Sequence, residues 1–312
     1  MRFGGHETFH IRDGWLYKGL RLLSDNPELF HSPDAADALG VGGNMAKSIR
    51  HWLLAVGLAS RGENAKADIA VSSVGRIIRD NDPYFTSAAT WWALHINLVN
   101  NPDFAVSWDW FFNYSGQSRF EKGVAIEQLK RYLHRSTNAR VPAGRTLERD
   151  FSVLLNTYAR VIPAETTDPE DSKDCPFQDL ELISFFRESG FYRINFAEKP
   201  IPPEILGYAL AKRFPSHDGR DGDVSVSIAD AANTACSPGK TFCLRAESVF
   251  DLALKAETAL DDGWLRVTGL AGSRHINFRP WPAAQWLEEY YRKEAKNEET
   301  WLQNQKGDLL KA

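Results

Sequence analysis

Cysteine is scarce: Cys175, Cys236 and Cys243 are the only three in 312 residues. That excludes a disulfide scaffold, and their spacing lacks the paired Cys-x-x-Cys of a zinc finger. Long apolar runs are missing too. The segment Trp52–Ala59 falls far short of the ~18 residues a membrane helix needs, so no membrane partner is expected. His6, Glu7, His10 and Arg12 stand where a secretion signal would require an unbroken apolar stretch, which points to a cytoplasmic protein with reduced thiols. No P-loop occurs, and no glycine-rich dinucleotide fingerprint follows a strand, so no nucleotide cofactor is expected. Nor does charge of one sign dominate: 37 Lys and Arg face 41 Asp and Glu, a formal net charge of −4. Such a sum argues against nucleic acid only if the charge is spread evenly, and it is not.

From Arg119 to Arg149, eight basic residues face three acids, giving +5, whereas Glu165 to Glu181 carries seven acids against Lys173, giving −6. Lys130, Arg131 and Arg135, with His134, fall on adjacent helical turns and could follow a phosphate backbone; a solvated helix face is the competing reading. The acidic stretch reads as an exposed loop leading into a helix after Pro176. Residues 86–114 hold Trp91, Trp92, Trp108, Trp110, Phe111, Phe112 and Tyr114 at helical spacing. Such a series favours a core over a base-stacking platform.

The clearest local pattern lies near the N-terminus. Trp15, Leu16, Leu20 and Leu23 have helical spacing, and Ser32-Pro33-Asp34 opens a second helix through Leu39. Gly40 to Gly43 form a turn, and a third helix runs from Asn44 to about Val56. At ~100° per residue, Met45, Ile49, Trp52, Leu53 and Val56 gather on one face, while Asn44, Lys47, Arg50 and His51 take the other, with Ser48 at the margin. Two helices across a glycine turn, then two short strands in Leu58–Val71, describe a winged helix-turn-helix. Asn44, Lys47, Ser48, Arg50 and His51 would then contact bases and phosphates, and Arg61 and Lys66 in the wing would contact the backbone. The expected architecture is mainly α with small β-hairpins (α+β). It comprises a winged-helix unit in 1–85, a helical aromatic and basic region in 86–163, and an α+β region in 164–312. In the last region a helix over Ser248–Leu260 and a hairpin of Trp264–Thr268 with Arg274–Arg279 suggest a second winged-helix-like unit, followed by a charged helix from Pro282.

Chemistry-bearing motifs are few. His6-Glu7-Thr8-Phe9-His10 matches H-E-x-x-H, which binds zinc only when both histidines project from one helix. The flanking glycines oppose that helix, and Asp13 occupies the position where the longer form of the motif needs glycine. The cluster of His6, Glu7, His10, Arg12 and Asp13 could instead bind phosphate, hold a divalent ion or pair internally. Restriction-type acid-x-Lys pairs occur only at Asp171-x-Lys173 and Glu294-x-Lys296, in a loop and a helix, which is the wrong context for a nuclease.

Gly5-His6-Glu7-Thr8-Phe9, then Arg12, Trp15, Leu16 and Lys18, resembles the opening of a bacterial family of unknown-function domains that includes SspB. The resemblance continues through Leu39-Gly40-Val41-Gly42-Gly43-Asn44-Met45, Ile49-Arg50 and Trp52, and returns at Asp174-Cys175-Pro176-Phe177 with Leu180 and in the Trp264 hairpin. It implies a DNA-nicking role in a system that places sulfur in the DNA backbone and supports phage defence. The implied partners are double-stranded DNA, a cysteine desulfurase, an ATP-pyrophosphatase-like enzyme and an ATPase. Within that role His6 and Glu7 are the candidates for base or metal ligand, Arg12 would stabilise the phosphate, and Mg²⁺ or Mn²⁺ would assist hydrolysis. The alternative is a non-catalytic winged-helix module that recognises DNA and recruits the sulfur-transfer enzymes.

Overall fold

The computed structural model describes residues 3–61, 69–136, 141–162, 175–215, 222–270 and 273–309. Lys66, Arg140, the acidic run from Glu165 to Asp174 and residues 216–221 lie outside the described residues. One continuous apolar core extends from Ile11 to Tyr291. Among the described residues no helix is long and apolar enough to cross a membrane.

Helix α1 (Trp15–Asp25) turns Trp15, Leu16, Leu20 and Leu23 inward, as their spacing predicts. A 3-10 turn (Pro27–His31) leads to α2 (Ala35–Leu39), which Gly40 ends in the left-handed conformation at φ 64°. Helix α3 (Gly43–Ala55) follows and packs on α1 at Gly19, where a Cβ would stand only 2.6 Å from Ile49 Cγ2. Strands β1 (Ala59–Ser60) and β2 (Ala70–Val71) then pair antiparallel. Helix α4 (Ser73–Asn81) is capped by Ser72, whose hydroxyl accepts from the Gly75 N–H at 2.9 Å. That serine also donates to the Gly57 carbonyl at 2.7 Å, fixing the hairpin to the helix after it. Helix, helix, glycine turn, helix and hairpin therefore occur in the expected order.

The aromatic segment forms α5 (Ala88–Val99) and α6 (Val106–Tyr114), and Trp92, Trp108, Trp110, Phe111 and Phe112 are buried. Tyr114, the last aromatic of α6, is 49% exposed. The region expected to be helical also carries a sheet. Strands β3 (Arg119–Phe120) and β4 (Ala159–Ile162) flank α7 (Lys122–Ser136) and α8 (Gly144–Tyr158). They join β5 (Ile183–Phe186) and β6 (Phe191–Ile194) in the order β3-β6-β5-β4, with β4 parallel to β5 and the other pairs antiparallel. A boundary at 163/164 would cut this sheet, so the division expected there does not match the strand pairing. Cys175 leads a 3-10 turn (Pro176–Leu180) packed on α5 and α8 and is 1% exposed.

The C-terminal part comprises α9 (Pro203–Arg213), β7 (Val224–Ser227), α10 (Ile228–Asn233), α11 (Pro238–Thr241) and α12 (Ala246–Ala259). The hairpin of β8 (Leu265–Thr268) and β9 (His275–Phe278) completes an antiparallel sheet ordered β7-β9-β8. Ile276 and Phe278 are buried, as the alternation in that arm predicts. Helix α13 (Ala283–Leu309) lies across α9. Gly207 permits this approach, because a Cβ there would meet the Trp286 ring at 2.2 Å.

Candidate nucleic-acid interface

The N-terminal motif forms a turn, not a helix. Glu7 and Thr8 adopt left-handed φ values of 50° and 68°, and the Phe9 N–H closes on the His6 carbonyl at 2.8 Å. His6 and His10 therefore do not share a helix face, and the zinc-protease arrangement is absent.

The turn drives His6 inward, where it is 2% exposed. Its Nδ1 accepts from the Thr8 N–H at 3.2 Å, which places the ring proton on Nε2, and Nε2 donates to Asp150 Oδ1 at 2.8 Å. Asp150 also accepts from the Gly4 N–H at 2.9 Å and, through Oδ2, from the Ser107 hydroxyl at 2.5 Å. The His6 ring stacks on Trp52 at 5.9 Å and meets the edges of His51 and Trp108. Trp52 Nε1 in turn donates to the Phe9 carbonyl at 3.1 Å. His6 was expected as a base or metal ligand; with both ring nitrogens bonded and the ring enclosed, it is instead the strut that holds the turn against α3 and α8.

Glu7 is half-buried, and its carboxylate takes part in none of the described hydrogen bonds or ion pairs. Arg12 lies with its guanidinium 5.6 Å from the Phe9 ring and 5.4 Å from the Trp15 ring. Its Nε is buried without a hydrogen-bond partner. Of the three residues expected in a catalytic role, Glu7 and Arg12 stay available to a ligand.

Helix α3 separates its candidates. Asn44 and Lys47 are exposed, with Lys47 Nζ 3.5 Å from Asn44 Oδ1, and Arg50 is half-buried. Ser48 at 0% exposure and His51 at 4% are corrections to the expected contact set. The helical wheel assumed one buried stripe. The N-terminal turn and Phe104 cover a second flank of α3, and His51 lies 6.2 Å from the Phe104 ring. Phe104 also carries the exposed Arg61, whose guanidinium is 5.3 Å from the ring, so the start of the hairpin is positioned over the same flank. No acidic residue occurs in α3. On α7, Arg131 and Arg135 are exposed and Lys130 is half-buried.

A family model described as protein of unknown function, DUF4007, matches residues 3–291. The chain belongs to the DUF4007 family. Two crystal structures of SspB, one of them magnesium ion-bound, are similar to this DUF4007 chain. Each has a TM-score of 0.80 and 27% sequence identity, and covers 93% of this chain and 88% of its own. No curated protein sequence matches.

The described residues of this DUF4007 protein gather no group of three His, Cys, Asp or Glu side chains that could hold a metal ion. Asp150, the buried acid of the site, is already taken by three donors. Among the described residues the protein therefore offers no cage of three or more such side chains for a divalent ion. Asp150 itself escaped the sequence analysis. Its signal was there: a lone acid on the α8 stripe of Leu147, Phe151 and Leu154, where an unpaired carboxylate would be costly.

Proposed function

We propose that this protein is a DNA-binding component of a DNA phosphorothioation system, docking on the duplex through a winged-helix unit made by α1 to α3 and the β1–β2 hairpin. The observation that carries the reading is the exposed front of α3. It offers Asn44, Lys47 and the half-buried Arg50, with Arg61 beside it and no acid in the helix. Phosphate contacts from such side chains orient a duplex, and the amide and guanidinium can reach base edges in the major groove. Ser48 and His51 are buried and take no part in this contact set. Lys130, Arg131 and Arg135 supply a second basic surface for the phosphate backbone.

The similarity to SspB supports the choice of pathway. In that setting the partners are a cysteine desulfurase and the ATP-pyrophosphatase and ATPase components, and the compartment is the cytoplasm. Nicking of one strand is the second reading. It is favoured by the unengaged carboxylate of Glu7 and by the buried, unpartnered Nε of Arg12. Glu7 would take a proton from the attacking water, and Arg12 would neutralise charge developing on the phosphate.

One experiment separates recognition from cleavage. Purified protein is incubated with supercoiled plasmid, with and without Mg²⁺ or Mn²⁺, and duplex binding is followed by mobility shift. Retarded duplex that is lost with Lys47→Gln/Arg50→Gln supports docking. Relaxed circles that vanish in Glu7→Gln support nicking, whereas binding without relaxation leaves the non-catalytic module. Duplex binding unchanged in the α3 variant contradicts the proposal.

A further inference from the structure

A further basic surface, besides those of α3 and α7, lies around Lys212 and Arg213. The C-terminal ends of α6 and α9 and the edge strand β7 enclose a cleft of about 810 Å³, within the size range of small-ligand sites. Its described lining includes Tyr114, Lys212, Arg213, Phe214, Ser225 and Cys236, and no acidic residue among the described ones lines it. β7 is paired on one side only, with β9, so its other edge is bare among the described strands.

Both cations are held without a carboxylate. Lys212 Nζ donates to Asn97 Oδ1 at 2.7 Å and Arg213 Nε donates to the Ala235 carbonyl at 2.7 Å. Neither forms an ion pair among the described residues. The Arg213 guanidinium lies 4.9 Å from the Phe214 ring, leaving its terminal nitrogens for an outside acceptor. Burial pulls the Lys212 amine below the ordinary lysine range, and an anion beside it would favour its charged form. Asp109, whose charge reaches both Cys236 and Tyr114, lies behind this wall. It is 8% exposed and accepts from Asn113 Nδ2 at 3.0 Å, and burial pushes its carboxyl upward, toward the neutral form.

Tyr114 completes the chemistry. One face of its ring stacks on Tyr132 at 5.3 Å with an interplanar angle of 25°, and the residue is 49% exposed, so the opposite face looks out. Tyr132 sits on α7 between the exposed Arg131 and Arg135. Cations without carboxylates beside an open aromatic face are the combination that binds an unpaired nucleic-acid strand, because bases enclosed in a duplex cannot lie on a protein ring. The minority role of the aromatic segment thus falls on the one residue of it that the core leaves out.

We propose that this cleft holds a single DNA strand, with a phosphate on Lys212 and Arg213 and a base stacked on the outer face of Tyr114. The choice of DNA rests on the duplex-docking reading above; the pairing of phosphate donors with a stacking ring does not.

The test is fluorescence polarisation of a short labelled oligodeoxythymidine at moderate salt, run beside a labelled duplex on the full chain. Tyr114→Ala should weaken oligonucleotide binding by about 5- to 100-fold, the range for losing one stacked base, while Tyr114→Phe keeps it. Arg213→Gln should weaken the oligonucleotide and flatten its salt dependence. None of these should change duplex affinity, and Lys47→Gln/Arg50→Gln should show the reverse pattern. Oligonucleotide binding that survives both Tyr114→Ala and Arg213→Gln, or that is lost only with the α3 substitutions, overturns the proposal. So does competition by thymidine monophosphate or inorganic phosphate as effective as competition by the strand, which would make the cleft a small-anion site. Strand binding that depends on Tyr114 with no duplex binding at all would uphold the cleft and sink the duplex reading.

Discussion

Two parts of this chain share a layout and differ in charge. At the N-terminus, α1, α2 and α3 lead into the β1–β2 hairpin; at the C-terminus, α9, α10 and α12 lead into β8–β9, with β7 completing a three-stranded sheet. By topology the C-terminal unit is the more complete helix-and-hairpin module. Its helix α12, however, exposes Glu247, Asp251, Leu254, Lys255 and Thr258. The cations around it are engaged: Arg274 pairs with Glu247 at 3.3 Å and Lys255 pairs with Glu198. The shorter α3 exposes Asn44 and Lys47 and contains no acid. A shared layout therefore does not assign a shared task, since DNA responds to the local potential of the face presented to it.

Each unit is also tied down by a buried histidine, and this is where the largest effects are expected. Asp150→Ala would leave the His6 Nε2–H, the Gly4 N–H and the Ser107 hydroxyl without their acceptor. At ~1–3 kcal/mol per orphaned group, partly relieved by water, it should cost about 4 kcal/mol of stability by denaturant titration. A change below 1 kcal/mol would mean that the N-terminal turn is not locked as described.

The counterpart is His95 on α5, which reaches α11 of the C-terminal part. Its Nδ1 meets the Tyr158 hydroxyl at 2.8 Å and its Nε2 meets the Thr241 carbonyl at 2.8 Å, joining α5 to α11. Burial pulls its pKa down to about 4. The unfolded chain, with an ordinary histidine, binds a proton there that the folded chain refuses. This contribution is intact above pH ~6.5 and is lost as pH falls from there to about 4, by up to about 3 kcal/mol. His95→Gln should flatten the stability–pH curve within that window. An unchanged slope would remove His95 as its source.

Binding effects come next. Lys47→Gln/Arg50→Gln should lower duplex affinity on the order of 10- to 100-fold, since each phosphate or base contact is worth ~1 kcal/mol or somewhat more. Glu247→Gln/Asp251→Asn on α12 should have the smallest effect, a rise of about threefold or less from relieving repulsion. If the two pairs of substitutions changed affinity equally and in the same direction, the contrast between the units would be lost.

Much of this layout was readable in the sequence. Helices with a clean 3.6-residue stripe, such as α1, appeared as expected, because tertiary contacts reinforced what the pattern already specified. The β3–β6 sheet was hidden, since its strands are two to four residues long and Ile183–Phe186 shows no alternation of burial. The site was half legible for a related reason. Asn44 and Lys47 are exposed, as the helical wheel anticipates, whereas His51 on the same face one turn later is covered. His51 is buried because Phe104 and a turn some forty residues earlier cover it, and no local pattern encodes that contact. The same holds for His6, whose identity suggested chemistry while its partner Asp150 lies 144 residues away.

The most direct test of the account is the salt dependence of duplex binding by the wild-type chain and by Lys47→Gln/Arg50→Gln. For the wild type log K should fall linearly with log salt concentration, and for the variant the slope should be shallower by about two units, near one unit per lost phosphate contact. Equal slopes and equal affinities for the two proteins would contradict it.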